Sequence, residues 1–112
     1  MSATAEPPIF SCDVAPDRDR ARVLLTGELD LATVEPLERE VDSLLGSGFR
    51  WIVLDLRGLT FLDSSGLRYL LTLARNASAE GYRLELIQGG DNVRRLFELT
   101  DTLGALPFVE AR

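Results

Sequence analysis

The apolar residues of this chain switch between two periods. Residues 9–14 and 21–25 are rich in β-formers, and Ala15-Pro16-Asp17-Arg18-Asp19 between them has turn chemistry. That predicts a hairpin whose first strand lies at a sheet edge. Val34, Leu37, Val41, Leu44 and Leu45 then fall at i, i+3, i+7, i+10 and i+11, one stripe of an amphipathic helix. Thr33 stands where its cap is expected, and Glu35 suits the positive helix end. Pro36 sits in a first turn that needs no N–H, and Gly46-Ser47-Gly48 ends the helix.

At Trp51 the period changes again. Trp51-Ile52-Val53-Leu54 lacks polar alternation, so residues 51–56 read as a central strand buried on both faces. Arg57-Gly58-Leu59 turns the chain toward Phe61-Leu62, and a second helix is expected over 65–79, stopped by Gly81. Leu67, Leu70, Leu71, Ala74 and Ala77 form its buried stripe. Tyr69, Leu73 and Asn76 lie off that stripe, which places Leu73 beside Tyr69 either facing a partner or under a neighbouring loop. Residues 82–87 read as a strand, Gln88-Gly89-Gly90 as a loop, and Asp91 as the cap of a third helix with Val93, Leu96 and Phe97 inward. Residues 106–109 form a short last strand. Trp51 and Phe97 are expected in the core, and Cys12 as a small apolar residue there. The order β-β-α-β-α-β-α-β predicts an α/β domain: a mixed four- to five-stranded sheet, helices mainly on one face, and a partly exposed N-terminal hairpin.

Length and composition narrow the function. The 112 residues suit one domain over 9–112, preceded by a flexible lead over 1–8 that contains Pro7-Pro8. That lead has neither the basic nor the apolar region of a signal peptide, and no apolar run approaches the roughly 18 residues of a membrane span. A cytoplasmic protein without membrane attachment is expected. The net charge of −6 argues against direct nucleic-acid binding, and Arg94-Arg95 reads as a solvated helix face. One cysteine and no histidine exclude an internal disulfide and any metal site built from several soft ligands. The commonest general base is also missing, so an enzyme is not expected, and neither is a cofactor.

The chemistry concentrates at Asp63-Ser64-Ser65-Gly66. Serine and aspartate are helix-capping residues, so a structural cap is one reading. A nucleophile fits poorly. The hydrolase elbow is Gly-x-Ser-x-Gly, whereas Leu62 and Asp63 stand two before the serines, and no histidine can take a proton. One glycine without a following lysine is far from a phosphate-binding loop. A regulated phosphoserine is the other reading that stays open.

Over residues 8–109 the chain resembles the STAS-domain anti-sigma-factor antagonists. The matching blocks are Leu25-Thr26-Gly27-Glu28-Leu29-Asp30, Ile52-Val53-Leu54-Asp55-Leu56, Leu59-Thr60-Phe61-Leu62-Asp63-Ser64-Ser65-Gly66-Leu67 and Val93-Arg94-Arg95-Leu96-Phe97-Glu98-Leu99-Thr100. The resemblance implies a phosphoacceptor at Ser64, the serine directly after the aspartate, with Ser65 its unmodified neighbour. It implies an anti-sigma factor with serine kinase activity, of the GHKL ATPase-like type, as partner and modifier. The unmodified form would sequester that factor and free the sigma factor, and a PPM-type phosphatase would restore it. The partner-facing set would be Asp30, Asp63, Ser64, Ser65, Gly66, Tyr69 and Leu73, and Glu28 either joins it or is simply solvated. The alternative is a STAS interaction subunit of a lipid-transport or stress-sensing complex. A free-standing chain with an intact phosphoacceptor and no membrane segment favours the antagonist. Many relatives carry another helix after the last strand, whereas this chain ends at Glu110-Ala111-Arg112.

Overall fold

A two-residue turn at Arg18-Asp19 closes the hairpin between β1 (Ser11–Asp17) and β2 (Arg20–Leu29), tighter than the turn expected from composition. Arg18 adopts the left-handed conformation at φ 62°, and the Arg20 guanidinium closes on Asp17 at 2.6 Å. Pro16 is tolerated within β1 because this strand is a sheet edge, where a missing N–H breaks no ladder. The structure is a computed structural model and describes residues 9–111, so the expected flexible lead over 1–8 lies outside the described residues.

The chain continues through α1 (Val34–Gly46), β3 (Trp51–Leu62), α2 (Ser64–Glu80), β4 (Arg83–Ile87), α3 (Asp91–Leu99), a 3-10 turn (Leu103–Ala105) and β5 (Phe108–Val109). The five strands lie in sequence order; β1 and β2 are antiparallel and each later pair is parallel. Each parallel connection is a helical crossover to the neighbouring strand. Right-handed crossovers that all step in one direction leave every helix on the same face. The expected mixed sheet with one helical layer is therefore the architecture found.

The core lies between the sheet and that layer. Leu25, Leu29, Ile52, Leu54, Leu56 and Leu86 from the strands meet Leu37, Val41, Leu70, Val93 and Phe97 from the helices, all fully buried. Each such side chain contributes about 1.5–3 kcal/mol by leaving water. Cys12 packs partly buried against this cluster, and burial, with Glu40 and Asp13 nearby, pushes its thiol up to about 11.

The helix-free face corrects the expectation for Trp51. Its ring lies in one cross-strand row with Arg20 and Arg83, whose guanidinium carbons sit 5.3 and 4.1 Å from the ring centre. Its indole N–H donates to Glu85 at 3.1 Å. Trp51 is thus half-buried under arginines rather than in the core, because the strand's alternation points it away from the helices. On the same face Asp55 is buried beneath Arg57, which donates through Nε and Nη2 at 2.9 and 2.7 Å. Burial alone would raise the Asp55 carboxyl, but the bonds and charge of Arg57, with Arg22, hold it below the usual carboxylate range. The central strand is buried on both faces as expected, with long polar side chains rather than helices covering the second face.

Candidate functional site

The site forms where β2 and β3 end together. Both strands run beyond their expected ends: Glu28 pairs with Phe61 and Leu29 with Leu62. Gly27, at φ 95°, permits the extension, since a Cβ there would sit 3.1 Å from Phe10 Cα. One further bond, Asp63 N–H to the Leu29 carbonyl at 3.1 Å, carries the pairing to the foot of α2.

There the chain turns into the helix, and Asp63 makes the turn. Its backbone is extended, and its Oδ1 accepts the N–H groups of Ser65 and Gly66 at 2.9 and 3.1 Å. Its own carbonyl accepts the Leu67 N–H at 3.0 Å. Asp63 is therefore the N-cap: of the serine and aspartate that could cap this helix, the aspartate does. Ser64 is the first helical residue; it is exposed, and its hydroxyl has no hydrogen-bond partner among the described residues. Ser65 is half-buried and Gly66 buried. A Cβ on Gly66 would lie 2.5 Å from Leu62 Cδ1 and 2.9 Å from Leu29 Cγ, so the helix foot rests directly on the strand ends.

Asp30 organises the facing loop. Its Oδ1 accepts the Ala32 N–H at 3.0 Å, and its carbonyl accepts the N–H groups of Thr33 and Val34 at 3.1 and 3.0 Å. Thr33 occupies the cap position of α1 as expected, but its hydroxyl donates back to the Glu28 carbonyl at 2.8 Å instead of capping forward. Asp91 departs similarly: Gly90 holds the cap position, and Asp91 lies in the first turn of α3, where its charge still suits the helix dipole. Asn92 Nδ2 donates to the Thr60 carbonyl, tying that helix start to β3.

Asp30, Leu31, Ala32 and Asp63 line one shallow depression of about 400 Å³, so Asp30 stands beside the Asp63-Ser64 turn. Tyr69 and Leu73 do not join this surface. They are 9% and 6% exposed, which overturns their expected place off the buried face. The reason is a second neighbour: α2 rests against α1 as well as the sheet, so its apolar arc is wider than one stripe. Burial, then the charges of Asp42 and Glu38 on α1, push the Tyr69 hydroxyl well above its ordinary value. Leu71, Ala74 and Ala77 of the expected stripe are only half-buried.

Two apolar residues missed in the sequence stand at the same end of the sheet. Leu31 is 79% exposed and Phe61 47%. Leu31 belongs to no helical or strand stripe, a signal that it has no place in the core. No cluster of three or more metal-ligating side chains occurs among the described residues, and no helix among them is long and apolar enough to cross a membrane.

The family model described as Mlab, STAS domain matches residues 12–107. BtrV of Bordetella bronchiseptica, a proposed anti-sigma factor antagonist, is 33% identical over 88 residues, covering 79% of this chain and 76% of that protein. The chain belongs to the STAS-domain family of anti-sigma factor antagonists. Antagonists of this family are regulatory proteins rather than enzymes. The anti-sigma-B factor antagonist of Staphylococcus aureus is 31% identical over 70% of this chain and 72% of its own length. Among solved structures, the antagonist SpoIIAA in its unphosphorylated form aligns with a TM-score of 0.72 at 27% identity, over 93% of this chain and 89% of that one. The Bacillus SpoIIAA in its phosphorylated form aligns at 0.68 and 26% identity, over 93% and 92%.

Proposed function

We propose that this antagonist works as a partner switch with Ser64 as its phosphoacceptor. An anti-sigma factor with serine kinase activity docks on the Asp30, Asp63 and Leu31 end of the sheet. It transfers the γ-phosphoryl group of ATP to Ser64 Oγ, releasing ADP and the hydroxyl proton. The unmodified chain sequesters that factor and frees the sigma factor for transcription in the cytoplasm, with no contact of its own to nucleic acid. A PPM-type phosphatase hydrolyses the ester back to serine and inorganic phosphate.

One observation carries the choice of residue: the Ser64 hydroxyl is exposed and unbonded because Asp63 performs the cap. A serine engaged as a cap would have to break that bond to react. Support also comes from SpoIIAA, solved both without and with phosphate.

The phosphate would act at the interface. It adds about −1.5 to −2 charges at neutral pH. Two like unit charges at ~4 Å repel by about 4 kcal/mol at an effective dielectric near 20. Against an acidic or closely fitted partner surface, that lowers affinity by about 10²–10³.

The test is capture of the native partner by the wild-type chain, followed by incubation with ATP and phosphopeptide mass spectrometry. An ATPase-like anti-sigma factor that modifies Ser64, and leaves Ser64→Ala unmodified, is the expected outcome. Phosphate on a different residue, or capture of a transport or stress-sensing assembly instead, would replace the proposal.

A further inference from the structure

Phosphorylation would place a charge at Ser64 that the helix end, with most of its first N–H groups engaged, neutralises only in part. The free N–H groups of a helix start ordinarily hold an anion. Here the N–H groups of Ser65 and Gly66 are already bonded to Asp63 Oδ1, and that of Leu67 to the Asp63 carbonyl. Asp63 also brings its own carboxylate beside the modified residue. A dianion at Ser64 would therefore be stabilised by a side-chain cation within reach.

Arg68 stands four residues later on the same helix, and both residues are exposed. Positions i and i+4 are neighbours on a helix surface. Helical side chains lean toward the N-terminus, so a chain as long as that of Arg68 can reach back over the turn that bears Ser64. Arg39 on α1 and Arg94 on α3 each pair with a carboxylate four residues away, Glu35 and Glu98. Arg68 has no carboxylate partner among the described residues. Its neighbours three and four positions away are Ser64, Ser65, Leu71 and Thr72, none of them acidic.

We propose that Arg68 is the intramolecular counter-ion of phosphorylated Ser64, unpaired in the unmodified chain and closed over the phosphate once the ester forms. The inference rests on Ser64 being the phosphoacceptor. A guanidinium suits the task, since its planar fork grips two phosphate oxygens at once. The pairing would also deepen the switch. Phosphorylation then removes an exposed cation from the surface beside Ser64 as well as adding an anion.

The experiment needs no kinase. The full chain is made with phosphoserine encoded at position 64, with Arg68 intact, as Arg68→Gln and as Arg68→Lys, and each is titrated by phosphorus NMR at low salt. An arginine at pairing distance favours the dianion and lowers the second phosphate ionisation. The intact chain should titrate about 0.5 pH unit below Arg68→Gln, a roughly threefold change in the dissociation constant, with Arg68→Lys between them. Matching far-ultraviolet circular dichroism in all three would confine the effect to the pair. Identical titrations of the intact chain and Arg68→Gln would overturn the inference while leaving Ser64 a phosphoacceptor. Separately, absence of phosphate from Ser64 in chain isolated from growing and stressed cells would remove the switch and the role of the pair with it.

Discussion

Asp63 Oδ1 lies 2.9 Å from the amide nitrogen of Ser65, and this bond gives the capping role to the aspartate rather than to the neighbouring Ser64 hydroxyl. The carboxylate holds the Gly66 amide as well, so one side chain satisfies two of the helix's first N–H groups. Asp63→Ala should cost about 1 kcal/mol, an N-cap's usual worth, and Asp63→Asn much less. At this domain size that loss lowers the melting temperature by about 4 °C. Equal melting of wild type and Asp63→Ala would show that the cap contributes nothing.

Ser64 should be dispensable for folding. Its hydroxyl makes no bond among the described residues, so Ser64→Ala should melt within ~2 °C of wild type, as surface substitutions do. Ser64→Asp should keep the fold while weakening partner binding about a hundredfold by calorimetry. Unfolding of Ser64→Asp would contradict a switch confined to the surface.

Gly66→Ala sets two effects against each other. In an open helix the change gains about 1 kcal/mol of propensity. Here the new methyl would meet Leu62 Cδ1 at 2.5 Å and the Leu29 carbonyl oxygen at 3.1 Å. Overpacking of that kind costs about 1–3 kcal/mol, so net destabilisation is expected in urea unfolding. A more stable mutant would mean the helix foot can lift off the strand ends without penalty.

Asp55 gives stability a pH dependence of predictable sign. Despite burial, Arg57 holds its folded-state pKa below the ordinary value, so folding favours the charged form. This contribution is complete above the unfolded value of about 3.9 and is lost as pH falls through the folded value. Unfolding free energies of wild type and Asp55→Asn should therefore stay apart above about pH 4 and converge as pH falls from there through the folded value. At neutral pH the mutant should be less stable by about 1–2 kcal/mol. A difference that stays constant with pH would mean the carboxylate's charge is not what Arg57 stabilises.

Tyr69 carries a buried hydroxyl with no hydrogen-bond partner among the described residues, next to acidic α1. Removing such a group relieves a desolvation cost and opens only a small void. Tyr69→Phe should accordingly leave stability unchanged or raise it by about 1 kcal/mol in denaturant titrations. A clear loss would reveal a partner for the hydroxyl.

The order of elements was legible because helix and strand periods differ and most helix ends bear a glycine or a capping residue, although α3 ends at Thr100 without a glycine. Gly81 stops α2 in the left-handed conformation as expected, at φ 76°. Element ends were less legible: β2 and β3 each run several residues past the expected point. Those extensions depend on pairing between residues more than thirty apart, such as Glu28 with Phe61.

By itself the sequence determined the α/β order, the absence of histidine chemistry, the acidic balance and the Asp-Ser-Ser-Gly block at a helix start. Local periodicity and composition carry that information. Only the tertiary structure decided which residue of the block caps the helix and which is left free. It also moved Trp51 out of the core, and Tyr69 and Leu73 into it. Each of those outcomes depends on what lies across from a side chain: Arg20 and Arg83 over Trp51, α1 against Tyr69, and the strand ends beneath Gly66. A single helical or strand stripe encodes one buried face, whereas packing against two neighbours widens that face beyond what period alone can show.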